Sequence, residues 1–255
     1  MGNDSKVLAG RSAVVTGESR GIGRAIVLRL AADGAAVVFS YRSDEAAAAR
    51  VVDEVRAAGG DAWAVRADQG ALAAVERLFD EADRRFAGVG LSGLDVLIIN
   101  AGIPSATLIG DVTEADYDRV MAVNAKGSFF TVQHALRRLR DGGRVIAVST
   151  MSTVYASPGE AVYAASKAAV DQFIRVAAKE LGGRGITFNT VSPGPTDTDL
   201  LRGAVPDETL HTVAHMTPLG RIGLPTDIAG VVAFLAGPDS GWITGQNIHV
   251  NGGLV

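Results

Sequence analysis

Short apolar runs rich in β-branched residues alternate along this chain with longer stretches in which apolar positions recur every three or four residues. The short runs predict buried strands and the longer stretches predict amphipathic helices. The predicted strands cover residues 12–16, 36–40, 62–67, 94–99, 144–149, 186–191 and 246–250. The predicted helices cover residues 25–30, 46–58, 71–86, 113–140, 159–181 and 225–235. This alternation indicates an α/β fold, and a doubly wound parallel sheet is its simplest architecture.

The composition suits one domain of this kind over residues 1–255. The chain is 47% hydrophobic with a net charge of -4, so we expect a large core and no nucleic-acid or membrane partner. It contains no cysteine, which excludes disulfides and thiolate metal sites. His211 and His215 have a zinc-binding spacing, but no third ligand is evident, so no metal site is predicted. Neither a signal peptide nor a bilayer-spanning run is found, and a cytoplasmic protein is expected.

A glycine-rich loop joins the first predicted strand to the helix that follows it. The loop contains Gly17, Ser19, Arg20, Gly21, Ile22 and Gly23. A strand, a glycine loop and a helix in this order are the context of a dinucleotide-binding site, in which the helix N-terminus faces the phosphates. An ordinary turn between a strand and a helix has the same local pattern, so the loop alone leaves both interpretations open.

The residues after the second predicted strand bear on which dinucleotide is bound. They are Tyr41, Arg42 and Ser43. A carboxylate here would bind the adenosine ribose of NAD, whereas an arginine suits the 2′-phosphate of NADP. The first acid is Asp44, and Arg20 could add a second charge-assisted contact. NADP is therefore favoured over NAD, although Glu18 would oppose the phosphate and Arg42 could instead be a solvated loop residue.

Tyr163 and Lys167 lie four residues apart in the predicted helix 159–181. This spacing places both side chains on one helix face, within reach of each other. An ammonium beside a phenol favours the phenolate, and so we expect Lys167 to lower the pKa of Tyr163. A phenol adjusted in this way can donate a proton to a developing alkoxide. By itself this pair is weak evidence for catalysis. It becomes informative when it is considered together with the glycine loop.

Taken together, these features resemble the short-chain dehydrogenase/reductase family, and the resemblance extends over almost the whole chain. The closest branch is that of the 3-oxoacyl-(acyl carrier protein) reductase-like enzymes, which includes reductases of naphthols and other ketones. The resemblance implies a Rossmann-like sheet of about seven strands with helices on both faces. It rests on the loop Thr16 to Gly23, Asn100-Ala101-Gly102, Asn124, Ser149-Thr150, Tyr163 with Lys167, Pro193-Gly194 with Thr198, Gly245-Gln246 and Asn251-Gly252-Gly253.

The resemblance implies catalytic roles for four positions. Tyr163 is the general acid in ketone reduction, and Lys167 lowers its pKa and binds the nicotinamide ribose. Asn124 holds a water molecule that links Lys167 to solvent. The family's serine lies thirteen residues before the tyrosine, which is Thr150 here, while some relatives have it one residue earlier, at Ser149. We favour Thr150 because side chains alternate between the two faces of a strand.

The resemblance also implies cofactor contacts outside the glycine loop. Asp68, followed by Gln69, would bind the adenine amino group. Two further groups would line the adenine ribose and fix the carboxamide, namely Asn100, Ala101 and Gly102, and Pro193, Gly194, Thr196 and Thr198. The chain departs from the family's pattern at Ile99, which precedes Asn100 in place of a second asparagine, and at Glu18, where a small residue is usual.

The expected activity is NADP(H)-dependent interconversion of a ketone and a secondary alcohol. The substrate could be a 3-oxoacyl thioester or another partly apolar ketone, covered by a lid at about residues 199–220. A carrier-protein partner would need a basic patch, for which the candidates are Arg137, Arg138, Arg140 and Arg202. The resemblance further implies a homotetramer. The alternative is a nucleotide-binding sensor or structural subunit that has lost the chemistry, because fold alone does not establish activity.

Overall fold

All seven predicted strands form, and they pair in parallel into one sheet. The structure, a computed structural model, describes residues 6–17, 20–204 and 206–255. The strand order is β3-β2-β1-β4-β5-β6-β7. The strands are β1 (Ser12–Thr16), β2 (Ala36–Tyr41), β3 (Ala62–Arg66), β4 (Leu94–Ile99), β5 (Leu139–Val148), β6 (Thr187–Pro193) and β7 (Asn247–Val250). Each of β1, β2, β4 and β6 is buried along its whole length, as a parallel sheet covered on both faces requires.

Helices cover both faces of the sheet and enclose two separate cores. The α-helices are α1 (Gly21–Ala32), α2 (Glu45–Ala57), α3 (Leu72–Gly88), α4 (Glu114–Met121), α5 (Ser128–Leu136), α6 (Ala161–Leu181), α7 (Asp199–Ala204), α8 (Asp207–Met216) and α9 (Pro225–Ala236). One core joins α1, α2 and α9 to the sheet, through residues such as Ile26, Val51 and Val232. The other joins α3, α5 and α6, through residues such as Phe79 and Ile174. The predicted fold class is therefore confirmed.

The strand order creates a switch point at the carboxyl ends of β1 and β4. β1 lies between β2 and β4, so the chain winds outward from β1 in both directions. The loops after the carboxyl ends of β1 and β4 therefore diverge, and this switch point is where open α/β sheets bind ligands. The glycine loop follows β1, and Asn100-Ala101-Gly102 follows β4.

The prediction of a single long helix over residues 113–140 is wrong in the middle of this range and at its end. The predicted cap is present, because Thr113 Oγ1 accepts a hydrogen bond from Asp116 N. After α4, however, the segment Ala122–Gly127 is a π-helix, and α5 then ends at Leu136. β5 begins at Leu139, which pairs with Leu94, five residues earlier than predicted. Buried Leu139 belongs to the sheet core, and this contact ends the helix.

The predicted lid consists of two short helices, α7 and α8. The side chain of Thr198, just before α7, lies beside Gly21 at the start of α1. Arg20 and Asp199 form an ion pair of 3.9 Å across this junction. The segment predicted to be a lid thus starts beside the glycine loop. Within the part of the chain described, no helix is both long and apolar enough to cross a membrane.

Gly127, the last residue of the π-helix, gives the first testable prediction. A Cβ at this position would lie 2.3 Å from the backbone oxygen of Gln69, so Gly127→Ala forces the two segments apart. We expect the free energy of unfolding, measured by urea denaturation, to fall by about 1–3 kcal/mol.

Gly88 provides the matched control, because it is also helical and a Cβ added to it would meet no atom within 4 Å. Gly88→Ala should leave stability unchanged or raise it by up to about 1 kcal/mol. Equal stabilities of the two variants would contradict the close packing of the π-helix against Gln69.

Candidate active site

Tyr163 and Thr150 face each other at the carboxyl edge of β5. Tyr163 lies in the first turn of α6, and Thr150 is the cap of the short helical turn Met151–Thr153 that follows β5. The Thr150 hydroxyl lies close enough to the Tyr163 phenol to act on its pKa, and Thr150 Oγ1 lies 3.0 Å from Ser152 Oγ. It also accepts from Ser152 N at 3.2 Å, which holds it in place. The two hydroxyl groups can therefore contact one substrate oxygen together.

Lys167 lies buried one helical turn after Tyr163. Its Nζ donates a hydrogen bond of 2.8 Å to the Val148 carbonyl at the end of β5. A Cβ placed on Gly102 would lie 3.2 Å from this Nζ and 3.4 Å from Asn124 Oδ1, so a side chain here would crowd the Lys167 ammonium. Burial lowers the pKa of Lys167 to about 8, and the charge of Asp171 acts in the opposite direction.

The pKa of Tyr163 departs from expectation. Burial raises it to about 12, the nearby Thr150 hydroxyl opposes this rise, and the Glu160 carboxylate adds to it. The prediction that Lys167 lowers the pKa of Tyr163 below its usual value is therefore wrong. The reason is that desolvation of the phenolate outweighs the effect of the Thr150 hydroxyl. Tyr163 is consequently a fully protonated donor at neutral pH.

Ser149, the alternative to Thr150, points to a different part of the molecule. Its Oγ is buried and meets no partner at hydrogen-bond geometry among the described residues. It lies near Asp171 and opposes the rise that burial causes in the pKa of that carboxyl group, whereas Thr150 lies near Tyr163. The structure thus separates the two hydroxyls as the alternation of strand side chains predicts.

Asn124 occupies the π-helix and is fully buried. Its Oδ1 accepts from Ile103 N at 2.8 Å, and its Nδ2 donates to the Ile103 carbonyl and to Ser166 Oγ. The amide therefore joins the loop after β4 to α6. These bonds occupy both ends of the side chain, and the water relay expected at Asn124 stays a prediction.

The glycine loop forms a cradle that suits a pyrophosphate. Gly17 has φ +77°, and a Cβ on it would lie 2.5 Å from the Cα of Ala101. α1 then begins at Gly21, with no side-chain cap and no acid in its first turn. Free N–H groups at such a helix start bind phosphate. The residues present fit a dinucleotide; Glu18 and Ser19 lie outside the described residues.

Two arginines, Arg42 and Arg66, lie next to each other at the ends of β2 and β3. Arg42 and Ser43 are exposed just beyond β2, while Tyr41 is buried within it. Arg66, at the end of β3, pairs in register with Tyr41 and donates to the Arg42 carbonyl. Sequence reasoning missed Arg66, because its proximity to Arg42 depends on the register of two strands far apart in sequence.

Two other predicted cofactor residues differ in what they contact. Asp68 is exposed, and its Oδ1 accepts from Gly70 N. Gln69 is buried, and its Nε2 lies within hydrogen-bond distance of the Ala101 and Val123 carbonyls and of Ser128 Oγ. Its side chain therefore braces the π-helix, a role that its position beside Asp68 did not indicate.

The loops after β4 and β6 are fixed by hydrogen bonds. Asn100 Nδ2 donates to the Thr16 and Gly17 carbonyls, which locks the loop after β4 against the glycine loop. Gly194 N donates to Val250 O, and Thr196 Oγ1 donates to Gly194 O. The predicted carboxamide-binding segment after Pro193 is therefore held in one conformation beside the lid. Thr198 completes it, and its Oγ1 accepts from Leu201 N.

Comparison with known proteins bears directly on this arrangement. Residues 17–255 match the family described as Enoyl-(Acyl carrier protein) reductase. Versicolorin reductase of Emericella nidulans is 41% identical over 263 residues, with 98% of each chain covered. The chain belongs to the short-chain dehydrogenase/reductase family.

Other members of this family have related activities. A hydroxynaphthalene reductase-like protein of Metarhizium brunneum is 42% identical over 261 residues, covering 97% of this chain and 96% of the relative. The structure of the angucycline C-6 ketoreductase LanV with bound NADP is 41% identical, with a TM-score of 0.93 over 97% of this chain and 96% of that one. This short-chain dehydrogenase/reductase is an oxidoreductase that acts on CH–OH and C=O groups.

Proposed function

We propose that the protein reduces a partly apolar, free ketone to a secondary alcohol with NADPH, and that Tyr163 donates the proton. The observation that carries this proposal is that the Thr150 hydroxyl lies near the Tyr163 phenol, while buried Lys167, one helical turn later, is fixed to the end of β5 by its hydrogen bond to the Val148 carbonyl. Two O–H donors that converge on one point suit a carbonyl oxygen on which negative charge develops. The described residues provide no cluster of metal ligands beside them.

The cofactor and three side chains have separate roles in the reduction. When bound, NADPH supplies the hydride. Thr150 and Tyr163 bind the carbonyl oxygen, and Tyr163 then transfers its phenolic proton to that oxygen. The Lys167 ammonium stabilises the resulting phenolate. Because the pKa of Tyr163 is raised to about 12, the phenol holds its proton until the substrate oxygen becomes strongly basic.

Exposed apolar side chains near Tyr163 support a hydrophobic substrate. Val154 and Tyr155 follow the Thr150 turn and are 61% and 40% exposed. Leu108 and Ile109 are exposed on the loop that a bond from Thr107 N to Gly159 O ties to the start of α6. Such a wall fits an aromatic or cyclic ketone, the kind of substrate named for hydroxynaphthalene reductase-like and angucycline relatives.

A carrier-bound thioester is less well supported. Arg137, Arg138 and Arg140 flank the amino end of β5, and Thr150 follows its carboxyl end, so they lie at the wrong edge of the sheet for a partner at the site mouth. Arg138 pairs with Asp80 and Asp83. Arg202 pairs with Asp197. A free ketone is therefore the substrate class that we put first. The cytoplasmic location stays a prediction from the sequence.

Two exposed apolar faces support the expected homotetramer. Phe129 on α5 and Val176 on α6 are 48% and 44% exposed, and Phe129 packs edge-on against Phe173. On the other side of the molecule, Phe234 on α9 is 46% exposed and Trp242 is fully exposed. A tetramer with dihedral symmetry needs two different self-complementary faces, and these two are the candidates.

Tyr163→Phe tests the proposed function. Purified protein is titrated with NADPH and then mixed with a panel of aromatic ketones, cyclic ketones and a 3-oxoacyl thioester, and NADPH oxidation is followed by absorbance. We expect the wild type to reduce the aromatic or cyclic ketones, and Tyr163→Phe to lower kcat by about 10²–10⁴-fold.

Tyr117→Phe is the matched control, because Tyr117 is an exposed residue of α4. It should retain wild-type activity. NADPH binding without turnover across the panel would overturn the proposed function in favour of a nucleotide-binding sensor, and full activity of Tyr163→Phe would overturn the role of Tyr163.

Thr150→Val and Ser149→Ala distinguish the two hydroxyls. Thr150→Val keeps the shape of the side chain and removes the donor beside Tyr163, so kcat should fall by about a hundredfold. Ser149→Ala should reduce kcat much less, and Thr150→Ser should restore most of the activity. A larger loss for Ser149→Ala than for Thr150→Val would reverse the assignment.

Arg42→Asp tests the choice of cofactor. Removing a charge-assisted contact with the 2′-phosphate should raise the Kd for NADPH about tenfold or more, with little change for NADH. Binding is measured by nicotinamide fluorescence. The control is Arg56→Asp, at the far end of α2. Equal weakening in both variants would contradict a specific role for Arg42.

A further inference from the structure

Asp171 is a buried acid behind the proposed active site. It lies on α6, one turn after Lys167, and only 7% of its surface is exposed. The proposed mechanism does not use it. A carboxylate is rarely buried to this degree unless a positive charge or several hydrogen bonds compensate for its lost hydration.

The hydrogen bonds around Asp171 compensate only one of its oxygens. Asn247 Nδ2 donates to Oδ2 at 3.0 Å, and Asn247 Oδ1 in turn accepts from Ser192 Oγ at 2.7 Å. Oδ1 is buried and meets no partner at hydrogen-bond geometry among the described residues. Burial raises the pKa of the Asp171 carboxyl group, and the nearby hydroxyls of Ser149, Thr190 and Thr153 oppose this rise by favouring the charged form.

Lys167 likewise has a buried charge that its own hydrogen bond does not balance. It is 4% exposed, and the acceptor of its Nζ is the uncharged Val148 carbonyl. A spacing of four residues places Lys167 and Asp171 on one face of α6, about 5–6 Å apart at Cβ. The charge of Asp171 favours the ammonium against the effect of burial. Arg175, on the next turn of α6, is a second cation, and its charge favours the ionised form of Asp171.

We propose that Asp171 is a positioning residue that acts through Lys167, as the buried counter-charge that keeps this side chain an ammonium beneath Tyr163. This inference rests on the proposed function for the use of that charge. Through Asn247 and Ser192 the same carboxylate also connects α6 to the residue before Pro193. One acid thus fixes the charge under Tyr163 and links it to the segment that would hold the nicotinamide.

The test is to titrate Lys167 directly in wild type and in Asp171→Asn. The chain has only four lysines, Lys6, Lys126, Lys167 and Lys179, so lysine labelled with ¹³C at Cε gives four NMR signals, and Lys167→Arg assigns the one in question. We expect the Lys167 midpoint to fall by about one to two pH units in Asp171→Asn. At pH 8, kcat for ketone reduction should fall about tenfold, with a smaller change in KM.

Asn247→Ala is the matched control, because it removes the hydrogen-bond donor to Asp171 and keeps the charge of Asp171. Its Lys167 midpoint should stay within a few tenths of a unit of the wild-type value. An unchanged midpoint in Asp171→Asn, or an equal shift in both variants, would overturn the proposal. If Asp171→Asn does not fold, Asp171→Ser provides the neutral variant, and Asp171→Glu should restore the midpoint if it folds.

The titration needs no ketone. Failure of every ketone in the panel would therefore overturn the proposed function and leave the Lys167 measurement intact, whereas a normal activity with an unmoved Lys167 midpoint would overturn the role of Asp171 alone.

Discussion

The site depends on one buried contact, the hydrogen bond of 2.8 Å from the Lys167 ammonium to the Val148 carbonyl. This bond joins α6 to the end of β5, and so it fixes Tyr163, one turn earlier on the helix, relative to Thr150, two residues beyond the strand. A buried ammonium loses its hydration and must be compensated by the protein around it. The Val148 carbonyl and the charge of Asp171 both do so, and Gly102 leaves room for the Nζ.

The π-helix follows from the same requirement for buried polar contacts. Asn124 must reach both Ile103 and Ser166 to satisfy its amide, and an extra residue in the helical turn widens the helix at that point. Gln69 supports the widened segment from the other side, and Gly127 allows its backbone to approach. The π-helix at Asn124 is thus maintained by contacts from the segment after β3 and from α6.

The sequence predicted most of the fold because its strands are short, apolar and separated by clear helices, and because the Tyr163–Lys167 spacing is local. It also indicated that Thr150 and Ser149 face opposite ways. It failed where a long-range contact decides the outcome. The pairing of Leu139 with Leu94 ends the helix early, the register of β2 and β3 brings Arg66 to Arg42, and the burial of Tyr163 reverses the expected direction of its pKa shift.

The most direct test of the role given to Lys167 is the pH dependence of a single turnover of NADPH with a reducible ketone, followed by stopped-flow fluorescence on the wild-type protein. The pKa of Lys167 is about 8 and that of Tyr163 about 12, so the ammonium is lost well before the phenol ionises. The rate should be constant at neutral pH and fall as the pH rises through about 8. A rate that stays constant to about pH 10 would contradict the role assigned to the Lys167 charge.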